Sequence, residues 1–123
     1  MSLPAVNSLE ETEHRVIERL LELLRAEYGR HLRAVWLYGS RARGEPARED
    51  SDVDLLVVTD GGRERDLPRV TRLVAIAAEG EGADPTRFAV HVVDPAWIEE
   101  RRQIASFFIQ EVDRDKVVLE GRA

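Results

Sequence analysis

Two apolar segments, RAVWLY (33–38) and DVDLLVV (52–58), follow one another in the chain with only an irregular stretch of about a dozen residues between them. Both are short and rich in β-branched or aromatic residues, the composition of strands. Two consecutive strands joined in this way do not make a Rossmann unit, so the sheet they enter is expected to be mixed. The second strand also carries two aspartates, Asp52 and Asp54, where burial would favour valines.

The remaining elements follow from periodicity. Leu9, Val16, Ile17, Leu20, Leu21, Leu24 and Tyr28 recur at helical spacing and predict a first helix over Leu9–Tyr28, with Ser8 and Glu11 as a capping box and Gly29 as its stop. GGRERD reads as a turn. Leu67, Val70, Leu73, Val74 and Ala77 then share one face of a second helix, where Pro68 is tolerable only near the first turn. After the breaker GEGADP, TRFAVHVV (86–93) is a third strand. Asp94 and Pro95 open another helix that IASFFIQEV continues, and KVVLEG is a short terminal strand or extended tail. The order α-β-β-α-β-α-α-(β) gives an α+β class, a mixed sheet flanked by helices, and 123 residues read as one domain over 1–123.

Charge and composition narrow the function. The net charge of -6, from 24 acids against 18 bases, argues against a broad nucleic-acid-binding face while leaving room for a local basic loop. Without cysteine there are no disulfides, no thiolate zinc sites and no thiol catalysis. MSLPAVNSLEETEH has no basic segment followed by an apolar core, and no apolar run approaches the roughly 20 residues of a membrane-spanning helix. A cytoplasmic protein without a membrane partner is expected.

The acid pair has a geometric meaning. Residues two apart on a strand point to the same face, so Asp52 and Asp54 project side by side roughly 7 Å apart while Val53 and Leu55 turn to the core. Carboxylates this close repel and drive each other toward protonation unless a cation sits between them. A divalent metal is the economical reading. Magnesium suits an all-oxygen site because it keeps waters and takes its other ligands from substrate phosphates. Directly after the first strand, Gly39 lets backbone N–H groups approach an anion, Ser40 adds a hydroxyl, and Arg41 and Arg43 offer forked guanidinium groups to phosphate oxygens.

Each part alone has a plainer explanation: a Gly-Ser turn, exposed strand carboxylates, solvated arginines. Rival motifs fail. DSDVD (50–54) imitates an EF-hand start, but Leu55 stands at the sixth loop position and Gly61 at the twelfth, where glycine and glutamate belong. No lysine follows the glycine turn, so it is not a P-loop.

LYGSRARG followed by SDVDLLVV resembles the minimal nucleotidyltransferases of the DNA polymerase β-like superfamily, whose signature is a Gly-Ser turn, a spacer and Asp-x-Asp on the next strand. The resemblance is concentrated in residues 34–58 and extends more loosely over the chain, from the first helix to a tail like DKVVLEG. It implies the polymerase β-like fold, with Gly39 and Ser40 gripping a triphosphate, Asp52 and Asp54 holding two magnesium ions (manganese as an alternative), and a nucleoside monophosphate transferred with loss of pyrophosphate. It also implies a protein partner, since such bacterial domains often pair with a helical HEPN toxin subunit and act as its antitoxin. A homodimer is left open.

This sequence departs from the pattern twice. The spacer between Ser40 and Asp52 is eleven residues, one more than the common form, and lengthens a tolerant loop. More seriously, the family places a third acid on the strand beside Asp-x-Asp, and TRFAVHVV has none. Ala89 matches that position. His91, two residues on and on the same strand face, could serve as a neutral ligand or general base, against the plainer reading of a partly buried strand histidine. His14 and His31 read as surface residues, and Trp36 and Trp97 as core or interface packing. Two functions follow: a nucleotidyltransferase moving AMP from a nucleoside triphosphate to a hydroxyl, or a nucleotide-binding or protein-interaction module that has lost turnover.

Overall fold

The structure, a computed structural model, describes residues 6–46 and 52–123; the middle of the arginine-rich loop, 47–51, lies outside them. Among the described residues the α-helices and strands follow in the expected order: α1 (Glu11–Tyr28), β1 (Leu32–Tyr38), β2 (Val53–Thr59), α2 (Gly62–Gly80), β3 (Phe88–Val93), α3 (Pro95–Gln103), α4 (Phe107–Asp115) and β4 (Val117–Gly121), with short 3-10 turns at Gly29–His31 and Pro85–Arg87. The strands form one sheet in the order β3-β2-β1-β4. β1 runs antiparallel to β2 and β4, whereas β2 and β3 are parallel, so the sheet is mixed as the strand spacing requires.

Both faces of the sheet are covered, which explains why β1 and β2 read as almost continuous apolar runs. On one face, Val16, Ile17, Leu20 and Leu24 of α1 and Val70, Val74 and Ala77 of α2 pack on Val35, Leu37, Val53, Leu55 and Val57. On the other, Ala34, Trp36, Leu56 and Val58 meet Ile98 of α3 and Ile109 and Val112 of α4. Strand alternation therefore assigns Tyr38, Asp54, Ala89 and His91 to the α3/α4 face, because their immediate neighbours belong to the α1/α2 core. Trp36 is buried with its indole N–H donating to the Arg122 carbonyl at 2.6 Å, while Trp97 is half-buried.

Local chemistry moved four boundaries. α1 starts at Glu11, not Leu9, because Glu10 is its cap: the Glu10 N–H donates to Glu13 Oε1 at 2.8 Å. The expected Ser8/Glu11 capping box does not form, and the Ser8 hydroxyl donates instead to the Arg41 carbonyl. α2 begins at Gly62, absorbing most of the expected GGRERD turn and leaving Pro68 inside the helix. Thr59 is the cause: its hydroxyl accepts from the Gly62 N–H at 3.0 Å and donates to Asp66 Oδ2 at 2.7 Å, which turns Asp66 inward. The helical stretch that IASFFIQEV is expected to continue is divided into α3 and α4 at Ala105, whose φ is 50°, and restarts with Ser106 accepting from the Ile109 N–H at 3.2 Å. Finally, β2 begins at Val53, so Asp52 sits just before the strand. His31 is exposed as expected, but His14 is half-buried with Nε2 3.0 Å from the Val6 carbonyl.

Candidate functional site

The end of β1 and the start of β2 meet where the register sets Tyr38 opposite Asp54. Gly39 follows with φ 75°, a left-handed conformation that favours glycine. The Asp54 carboxylate lies directly against it, since a Cβ on Gly39 would stand 2.3 Å from Asp54 Oδ2. The glycine turn and the second acid thus touch. Asp52 is exposed and Asp54 half-buried. Burial, followed by the charge of Asp52, pushes the Asp54 carboxyl above its ordinary range, while His91, Arg43 and Arg41 pull it back in part. The Tyr38 hydroxyl is pushed up as well, by burial first and then by Asp54.

The turn after Gly39 closes on itself. Arg43 N–H donates to the Gly39 carbonyl at 3.2 Å, Gly44 N–H to Arg41 at 3.2 Å, and Glu45 N–H to Ser40 at 3.0 Å. Ser40 is half-buried at its start. Arg43 is exposed, with Nε 2.8 Å from Glu45 Oε2, and it lines a pocket of about 130 Å³ with Tyr38, Gly39, Phe108, Glu111 and Val112. It presents a cation at the mouth of the site. Arg41 does not. It is fully buried, paired with Glu13 and 3.4 Å from the Ser8 carbonyl, so the expectation that it grips phosphate is corrected: its fork is turned into the protein.

On β3, the parallel register sets Ala89 across from Asp54 and His91 across from Leu56. The position expected for a third acid is thus the one beside Asp54, and it holds a methyl group. His91 is exposed, not partly buried. Its ring lies 6.1 Å from Tyr38 and 5.8 Å from Phe108, and Phe108 in turn meets Trp97 at 6.2 Å. Among the described residues no group of three or more His, Cys, Asp or Glu could hold a metal. Asp52 and Asp54 could supply two hard oxygen ligands, Asp54 being made prone to protonation by its burial first and by the Asp52 charge second, and such a pair would suit a cation that brings its other ligands with it.

Sequence reasoning missed Tyr38 and Phe108 as walls of the site and Ser8 and Glu13 as anchors of its turn. Tyr38 directly precedes Gly39, which is a usable signal; Phe108 and Glu13 arrive by tertiary packing and carry none.

A family model described as a nucleotidyltransferase domain matches residues 17–119. No curated protein matches the chain. Among solved structures, a chain in a crystal structure of a toxin–antitoxin MntA–HpeT mutant is 21% identical, with a TM-score of 0.53 over 86% of this chain and 72% of that one. A chain in a crystal structure of the toxin–antitoxin with AMP-PNP is also 21% identical, with a TM-score of 0.54 over 85% and 73%. At that identity the likeness is one of fold: an α+β mixed sheet with flanking helices.

Proposed function

This chain belongs to the nucleotidyltransferase domain family, and from that premise we propose that it moves a nucleoside monophosphate, AMP foremost, from a nucleoside triphosphate to a hydroxyl on a protein or on an acceptor that a protein presents. The observation that carries this reading is the contact between the Gly39 turn and the Asp54 carboxylate, which brings the glycine turn against one acid of the pair.

Asp52 and Asp54 would hold magnesium, with manganese as the alternative. Bound there with the triphosphate, the metal would neutralise phosphate oxygens and favour attack on phosphorus. The chain's own part is positioning. Gly39 leaves the backbone open, the Ser40 hydroxyl donates to a phosphate oxygen, and the exposed Arg43 fork pairs with the same group. His91, open to solvent, accepts the proton of the attacking hydroxyl as pyrophosphate leaves. The partner would be a helical HEPN-type subunit with this chain as its antitoxin, in the cytoplasm. Support for a protein partner comes from the neighbouring structures, which are toxin–antitoxin assemblies, one with AMP-PNP.

Incubation with α-labelled ATP, magnesium and a candidate partner tests the reading. Label transfer and pyrophosphate release are expected from the parent and lost in the Asp52→Asn/Asp54→Asn double variant. Transfer undiminished in that variant sinks the proposal. One observation favours a second reading, a nucleotide-binding module without turnover: the residue across from Asp54 is Ala89. An inactive parent that binds magnesium and ATP through the acid pair would support it.

A further inference from the structure

Among the described residues Arg41 is the largest side chain with no solvent exposure, and it belongs to the turn that carries Gly39 and Ser40. Its guanidinium meets Glu13 of α1, buried at 7% exposure, and lies 3.4 Å from the Ser8 carbonyl. Its own carbonyl accepts from the Ser8 hydroxyl and from the Gly44 N–H. Glu13 Oε1 is shared between Arg41 and the Glu10 N–H that caps α1. One buried cluster thus ties the start of α1 to a turn 28 and 33 residues away in the chain.

Stability alone gives little reason for such a cluster. Removing two charges from water costs several kcal/mol per ion, and well-packed apolar residues of similar volume usually do as well or better. What an apolar pair lacks is direction. A guanidinium fixed by a carboxylate on one side and a carbonyl on another has one orientation, and the backbone carrying it inherits that orientation. The residues on either side of this anchor are Ser40 and, one step beyond Ala42, Arg43.

We propose that Glu13, Arg41 and Ser8 are positioning residues, a buried polar anchor that sets the Gly39–Glu45 turn against α1 and so fixes where Ser40 and Arg43 stand relative to Asp54. None of the three needs to touch a substrate. The inference rests on the proposed transfer reading only for what the turn receives; the anchoring itself is independent of it.

Hydrogen exchange by mass spectrometry, with thermal unfolding alongside, tests the anchor. The variants are Glu13→Gln, the apolar double Glu13→Met/Arg41→Met, and Arg69→Met as a control that breaks the exposed pair with Glu27. In Glu13→Gln the amides of Arg43, Gly44 and Glu45, each hydrogen-bonded within the turn, should exchange at least tenfold faster while the centres of β1 and β2 keep parent rates. The double variant should recover the unfolding midpoint lost in Glu13→Gln but not the slow exchange of the turn. A second readout is KM for ATP, which should rise at least tenfold in the double variant with kcat held. Parent-like turn exchange in the double variant, or acceleration spread evenly over the chain, overturns the proposal. If the parent itself neither binds nor turns over ATP, the transfer reading falls, and the exchange measurement still decides the anchor.

Discussion

Replacing Gly39 by alanine tests the geometry of the site most directly, because the cost has two separable parts. At φ 75° an L residue pays for the left-handed region, about 1 to 2 kcal/mol. The new Cβ would also stand 2.3 Å from Asp54 Oδ2 and 3.2 Å from its Cγ, an overpacking worth roughly 1 to 3 kcal/mol more. Together they give about 2 to 5 kcal/mol, toward the low end where the short carboxylate swings aside. Gly44 supplies the control: its φ is 84°, but an added Cβ meets nothing within 4 Å, so Gly44→Ala should show only the conformational part. Urea unfolding at pH 7 without divalent metal measures both. A double-mutant cycle with Asp54→Ala then isolates the clash, since removing the carboxylate should restore Gly39→Ala to the level of Gly44→Ala. If the carboxylate does swing aside, the loss shows instead as at least tenfold weaker binding of magnesium and ATP. Equal costs at Gly39 and Gly44, no coupling to Asp54→Ala, and unchanged nucleotide affinity would together refute the contact on which the proposed function rests.

Other outcomes follow from the same site. The folded-state pKa of Asp54 lies above its unfolded value, so the folded protein holds that proton more tightly and the group's stabilising contribution is lost as pH rises through its raised folded range; Asp54→Asn should flatten this fall and raise the unfolding midpoint at neutral pH without divalent metal, as thermal scans across pH would show. Ser40→Ala should weaken triphosphate binding by about 1 kcal/mol, the worth of one hydrogen bond, by calorimetry; no change would reduce Ser40 to a turn residue. Ala89→Asp should raise nucleotidyl transfer by placing a carboxylate across from Asp54, and a variant no faster than the parent would show that metal positioning does not limit the reaction.

The sequence carried the order of the α-helices and strands because each rests on local pattern: helical periodicity in α1, β-branched runs in β1 and β2, the Asp-Pro start of α3. It misplaced boundaries where a side chain from outside the element decided them. Thr59 and Asp66 organise the start of α2, and no local rule distinguishes GGRERD as a turn from the same residues as a first helical turn. Ser8 followed by Glu11 looked like a capping box, yet Ser8 is held by Arg41, a partner 33 residues on. At the site, the nearness of the Gly-Ser turn to Asp54 was legible from spacing, and so was the strand face shared by Ala89 and His91, whereas Asp52 lies just before β2 and not on the strand that set its expected face. Arg41 was not, because an arginine in a polar loop gives no sign that a buried carboxylate waits for it.

On the proposed reading the register of β3 separates two tasks that a third acid beside Asp54 would combine, sharing the metal and helping to activate the attacking hydroxyl. A carboxylate at Ala89 would stand beside Asp54 and could share its cation. His91 cannot take that place, because it pairs two residues further along with Leu56, about 7 Å of strand away, and its ring is held among Tyr38 and Phe108. What His91 retains is an exposed ring on the same face, close enough for its charge to act on Asp54. On the proposed reading the proton acceptor is present and the third metal ligand is missing, so turnover should be limited by how weakly the acid pair holds its cation. Raising magnesium, or substituting manganese, should then increase the parent's rate far more than that of Ala89→Asp, and His91→Ala should lower kcat at every metal concentration. A parent whose rate saturates at the same metal concentration as Ala89→Asp would place the limit elsewhere.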